Sequence, residues 1–178
     1  FNALFMNNKF FELLDSLNNS SITPNQVAYW KAKVDLQLGK PETYVAYFAK
    51  NNALSIHENL LALIYAAYIK QEDVYKKILE KIKKTKSLTE NHEKMMLLAK
   101  EIYLNNLKSG LEIIDTSLVQ MSKYEKSIFK LELIASYLCM RLLKLKEAHQ
   151  YLVKYERYTL NDPACRIAIA RLAKINNN

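Results

Sequence analysis

Apolar residues recur along this chain at the three-and-four spacing of one helix face, and short polar stretches interrupt the pattern. The interruptions are asparagine pairs and Gly/Pro groups: Asn7-Asn8, Asn18-Asn19, Gly39-Lys40-Pro41, Asn51-Asn52, Asn105-Asn106 and Asn161-Asp162-Pro163. Between them the spacing predicts helices over 25–38, 42–50, 56–70, 73–84, 90–104, 108–120, 124–143, 146–157 and 162–175. With the N-terminal stretch this makes about ten helices, joined by short loops. In the first, Val27, Trp30, Val34 and Leu38 are among the apolar positions, and Thr23-Pro24 supplies an N-cap followed by a first-turn proline. Residues 56–70, "IHENLLALIYAAYIK", are apolar over much of their circumference, which predicts a buried helix. Residues 73–84 place Val74, Tyr75, Ile78, Leu79 and Ile82 on one face.

The turns inside successive helix pairs fall near Asn8, Gly39, Gln71, Asn106 and Lys144, so they are 31, 32, 35 and 38 residues apart. A helix–turn–helix unit returning about every 34 residues has the tetratricopeptide period. A helix pair cannot bury its apolar face alone, so neighbouring pairs stack, and close crossings need small residues. In the fourth full pair Ser136 and Ala148 are the small residues. In the first, Ala32, the Gly39 turn and Phe48 match. In the third, Ala99 and Gly110 occupy the two small positions. The second pair is degenerate, with Ile64 or Tyr65 near the first position and Tyr75 or Lys76 near the second. The expectation is an all-α, tetratricopeptide-like α-solenoid, a single helical-repeat domain over residues 1–178 whose ends are open to extension, since the chain starts without Met.

Composition supports that class. Two glycines and three prolines in 178 residues are too few for the turns of an all-β fold, and half the residues are hydrophobic. The net charge of +8 admits acidic partners, a membrane surface or nucleic acid. The lysines are spread over most segments, as on an ordinary solvated surface. Cys139 and Cys165, without a CxxC motif, suggest a reducing compartment, and no apolar run is long enough to span a membrane.

The sequence holds no constellation that announces chemistry. His57, His92 and His149 stand far apart in sequence and read as surface histidines. "IHENLL" lacks the second histidine of a zinc-protease helix. Two isolated glycines cannot build a phosphate loop. Glu80, Glu90, Glu93 and Glu101 sit in helical charge patterns, where pairing with lysine is the ordinary role. The reading therefore assigns no catalytic, cofactor or metal residue. The run "YKKILEKIKKTK", 75–86, is basic but lacks the interleaved aromatics expected for single-stranded nucleic acid, so direct nucleic-acid binding is not expected. The twelve tyrosines lie mostly on predicted helices. First helices line the inner surface of such solenoids, and by repeat register Tyr29, Lys33, Tyr137 and Arg141 are the candidate partner-binding residues.

The order of segments resembles the epsilon subunit of coatomer, the COPI vesicle coat. "NALFMNNKFFELLDSL" resembles that family's opening helix pair, and "YWKAKVDLQLGK" its next helix with an aromatic-x-Ala core. "MMLLAKEIYLNNLKSGLEII" is similar to its Ala-x-Ile-Tyr-Leu helix and small-Leu second helix. "LELIASYLCMRLLKLKEAHQYLVKYERYTLNDPACRIAIARL" is the closest stretch, with Leu142 to Ala148 matching a Leu-x-x-Leu-x-x-Ala core and Asp162 the acid before the next helix. The resemblance covers most of this chain and about the first two-thirds of a typical family member; the later repeats have no counterpart after "KINNN". It implies a non-catalytic subunit of a hetero-oligomer that clasps the C-terminal region of the alpha subunit in Golgi-to-endoplasmic-reticulum transport. It also implies a cytoplasmic protein held peripherally on Golgi and vesicle membranes through that complex. No ligand residue carries over individually from the family.

Overall fold

The computed structural model describes residues 4–5, 9–51, 55–157, 159 and 162–177. They are helical throughout their regular structure, with no strand among them. The helices are α1 (Phe10–Asn18), α2 (Pro24–Gln37), α3 (Pro41–Lys50), α4 (Ile56–Tyr68), α5 (Glu72–Lys83), α6 (Glu90–Tyr103), α7 (Leu107–Gln120), α8 (Lys123–Phe129), α9 (Leu131–Arg141), α10 (Leu145–Glu156) and α11 (Pro163–Asn176). Thr23 opens α2 in a reciprocal capping box with Gln26, and Pro24 takes the first helical position. Thr89 with His92 and Ser122 with Glu125 build the same box on α6 and α8.

Four pairs, α2–α3, α4–α5, α6–α7 and α9–α10, share one turn. Each first helix ends in a residue with positive φ: Gly39 (74°), Lys70 (60°), Asn105 (64°) and Leu143 (57°). The next N–H then reaches back five residues: Lys40 to the Asp35 carbonyl (2.8 Å), Gln71 to Ala66 (3.1 Å), Asn106 to Glu101 (2.8 Å), Lys144 to Cys139 (2.9 Å). This left-handed ending satisfies carbonyls that the helix leaves unbonded. Only the first pair uses glycine. Gly39 has a further reason: a Cβ there would stand 3.2 Å from Ile167 Cγ2 of α11. The expected turn at Asn8 lies outside the described residues.

The shared turn fixes the register. The seventh residue before each left-handed residue is Ala32, Leu63, Leu98 and Ser136, all fully buried. Ala99 falls one position later than strict equivalence and is also fully buried. The fifth residue after the turn is Tyr44, Tyr75, Gly110 and Ala148, all buried. Buried tyrosines thus fill this position in the first two pairs, and small residues occupy it in the last two. A Cβ on Gly110 would meet Leu138 Cδ1 at 3.3 Å. Neighbouring pairs stack, α4 on α6 and α3 on α4, and one apolar core runs from Ala32 to Leu172. A smaller core of Phe10, Leu13, Leu17 and Val34 closes the α1 end.

One predicted helix is divided. The expected 124–143 helix breaks at Lys130 (φ 52°), which ends α8 and precedes α9. Periodicity hides the break, because Phe129 and Leu131 continue an apolar pattern across it. The bend turns the Lys130 side chain inward, where its ammonium meets Gln37 Oε1 (2.6 Å) and Asp162 Oδ2 (3.2 Å). Helix α11 packs on α9 and α10 and also reaches α2. There Arg171 Nη2 donates to the Gly39 carbonyl at 3.3 Å. The last described helix therefore touches the first pair.

Candidate functional site

On a first helix, positions ten, six and two before the left-handed residue share one face, because they are four apart. In the first pair these are Tyr29, Lys33 and Gln37; in the fourth, Leu133, Tyr137 and Arg141. In the middle pairs the line is apolar at its start: Leu60 and Ile64, then Met95 and Ala99, are all buried in the core. The line ends on Tyr68 and Tyr103. The four sequence-predicted residues thus separate into two groups, one at each end of the array.

The first group is closed on itself. The Lys33 ammonium lies 5.0 Å from the Phe5 ring centroid and 5.2 Å from those of Tyr29 and Trp30. It donates to the Tyr29 hydroxyl at 3.3 Å and stands 3.8 Å from Glu58 Oε1. Tyr29 in turn donates to Glu58 Oε1. Burial lowers the Lys33 pKa, with Glu58 pulling the other way, and burial with the Glu58 hydrogen bond raises that of Tyr29. Glu58 is the third residue of α4, and its amide donates to the Ser55 cap while its carboxylate crosses to α2. A cleft of about 240 Å³ opens beside this group, with His57, Gln37 and Lys130 among its walls.

The second group is open. Tyr68 of α4 and Tyr137 of α9 have ring centroids 5.7 Å apart. The Arg141 guanidinium lies 5.5 Å from the Tyr68 centroid, and that of Arg171 lies 5.8 Å from the Tyr137 centroid. Tyr137 is only 5% exposed, its ring covered by these neighbours, whereas both arginines are exposed. Burial pushes the Tyr137 phenol up to about 12, and Arg171 pulls the other way. Both guanidiniums pull the Tyr68 phenol down against its burial, so both charges act on that ring. Sequence reasoning missed Arg171, since register arithmetic relates first helices of the four pairs and not α11 to α2.

The histidines correct one expectation. His57 and His92 are neighbours, with ring centroids 5.1 Å apart, and His92 is buried. They occupy near-equivalent places in the first turns of α4 and α6, which pack together, so a wide sequence gap becomes a contact. His92 Nδ1 accepts the Thr89 amide at 3.2 Å, and burial first, His57 second, lower its pKa. His149 is exposed.

Much of the basic charge is used structurally. Lys76 pairs with Glu72 and Lys83 with Glu80 on α5 itself. Lys81 donates to the Phe48 and Asn51 carbonyls (2.8 and 2.7 Å), and Lys70 to those of Ile102 and Tyr103 (2.9 and 2.8 Å). These lysines cover the C-terminal ends of α3 and α6, where the helix dipole favours a cation. The buried Lys130–Asp162 pair, with the Tyr155 hydroxyl donating to the same carboxylate, ties α2, α10 and α11 to the α8–α9 bend. Cys139 and Cys165 are buried, and burial raises both thiols to about 11, so neither is an available thiolate. Among the described residues no group of three His, Cys, Asp or Glu side chains could hold a metal ion, and no helix is long and apolar enough to cross a membrane.

Comparison with protein-family models, curated proteins and solved structures returns no match to this chain.

Proposed function

We propose that this chain is a non-catalytic scaffold that binds a protein partner through the inner side of its stacked helix pairs. The observation that carries the reading is the open basic–aromatic group of Tyr68, Arg141 and Arg171, set where successive first helices and α11 meet. Nothing about it suggests bond-making chemistry; it is a recognition surface. The narrower proposal is a subunit of the coatomer epsilon type, binding and steadying an alpha-coatomer-like chain in Golgi-to-endoplasmic-reticulum transport. Its support is the ordered resemblance of segments along the sequence.

Purification of the tagged protein from its own cells at native abundance tests both levels. Stoichiometric recovery of a large alpha-coatomer-like chain is expected. Recovery of a different protein would retain the scaffold and remove the coatomer assignment. The net charge of +8 favours a second reading, an adaptor of another tetratricopeptide type or one held on ribosomes or proteasomes. Co-sedimentation with ribosomes that falls steeply as salt rises would select it.

A further inference from the structure

We infer that the cleft between the C-terminal ends of α4, α9 and α11 receives an acidic segment of a partner protein, with carboxylates on Arg141 and Arg171 and an apolar side chain against Met140 and Ile175. The inference rests on the protein-binding reading and names the chemistry of the partner. The cleft encloses about 240 Å³ and is lined by Tyr68, Tyr137, Met140, Arg141, Arg171 and Ile175. Lys174 adds a third cation to its walls, and among the described residues no carboxylate lines it.

Both guanidiniums are held in place while their charge stays available. Arg141 Nη2 reaches Asn105 Oδ1 at 3.3 Å, and Arg171 Nη2 reaches the Gly39 carbonyl at 3.3 Å. Both acceptors are neutral, so each arginine is oriented without being neutralised. Stacking over Tyr68 and Tyr137 further limits the side-chain freedom lost on binding. A planar fork that is already oriented matches a carboxylate, to which it can donate two parallel hydrogen bonds. Met140 and Ile175 give the cleft an apolar wall, which suits a peptide that alternates acidic and apolar side chains. Single-stranded nucleic acid fits less well. It binds through aromatic faces free to stack on bases, and here guanidiniums already lie over both tyrosine rings.

Fluorescence anisotropy with the full chain tests the assignment. The probes are a labelled peptide alternating glutamate and leucine, its lysine–leucine counterpart and an oligouridylate. Only the glutamate peptide is expected to bind, and more weakly as salt rises. Arg141→Gln and Arg171→Gln should each weaken it roughly tenfold, the scale of one charge-assisted hydrogen bond. Lys77→Gln on the exposed face of α5 should leave it unchanged. If Arg171→Gln loosens the fold through its Gly39 contact, the exposed Arg141→Gln carries the test alone. Absence of glutamate-peptide binding, equal binding by the arginine variants, or oligouridylate binding that the same variants abolish would each overturn the inference. The cellular purification separates the two readings. A partner retained by the double arginine variant leaves the scaffold standing and removes this cleft. If wild-type protein captures no protein partner, the scaffold reading itself falls.

Discussion

Lys33 in the first helix pair and Arg141 in the fourth hold the same face of their first helices and both lie over tyrosine rings, yet among the described residues only Lys33 is supplied with a carboxylate. Glu58 stands 3.8 Å from Lys33, and Phe5, Tyr29 and Trp30 surround the ammonium. That group completes itself. Among the described residues, the hydrogen-bond acceptors of Arg141 and its companion Arg171 are neutral, and both arginines are exposed. The repeat register places a cation and an aromatic at each end. One neighbouring acid separates the cation paired within the chain from the one that is not. The comparison also holds for helix crossings: Tyr44 and Tyr75 fill the position that the small Gly110 and Ala148 occupy in the last two pairs.

The largest effect belongs to the buried pair that holds the two ends together. Asp162→Asn removes the carboxylate facing Lys130, whose ammonium is almost wholly buried, and weakens the acceptor of the Tyr155 hydroxyl. The expected loss is about 3 kcal/mol of folding free energy, as for one partner deleted from a buried ion pair. Urea denaturation measures it. A loss below about 1 kcal/mol would mean that Gln37 alone satisfies the lysine, and that the ends are joined by apolar packing. Next in size is Ala148→Leu, which overfills the tight crossing of α9 and α10 and should cost roughly 1–3 kcal/mol in a thermal or chemical melt.

The two cation groups can be set directly against each other. Glu58→Gln leaves the half-buried Lys33 without its acid and should cost about 1 kcal/mol. Arg141→Gln should change stability by less than about 0.5 kcal/mol, as at an exposed surface position. Equal costs from paired denaturation curves would erase the distinction between a structural and an available cation.

Most of the fold was legible because helix propensity, caps and spacing agree. Thr23-Pro24 opens α2 as expected, and the turns at Gly39, near Gln71, near Asn106 and near Lys144 each lie at or next to the left-handed residue. The same reading could not place the bend at Lys130, since a single left-handed residue between Phe129 and Leu131 leaves no mark on an apolar period. Nor could it find Arg171 beside Tyr137, because that contact depends on α11 returning across the array to α2, a long-range event that no local pattern encodes. The candidate residues Tyr29, Lys33, Tyr137 and Arg141 came from register alone. Register brought them to one face but could not say which would be enclosed by their own chain.

The pair that joins α4 to α6 should make stability depend on pH. His92 has its pKa lowered from 6.5, first by burial and second by His57, while Glu125 opposes the shift. The unfolded chain therefore binds the His92 proton more readily than the folded one, and stability must fall as pH drops through 6.5 toward the lowered value. The chemistry agrees with the sign. Nδ1 accepts the Thr89 amide, so a proton there would break the α6 capping box. His92→Gln keeps a side-chain acceptor at the same place, as Gln26 does for Thr23, and removes the titration. Between pH 7 and 5 the wild type should lose up to about 1 kcal/mol relative to this variant, read from urea midpoints at each pH. Parallel curves would show that His92 titrates alike in the folded and unfolded chain, and that its burial carries no electrostatic cost.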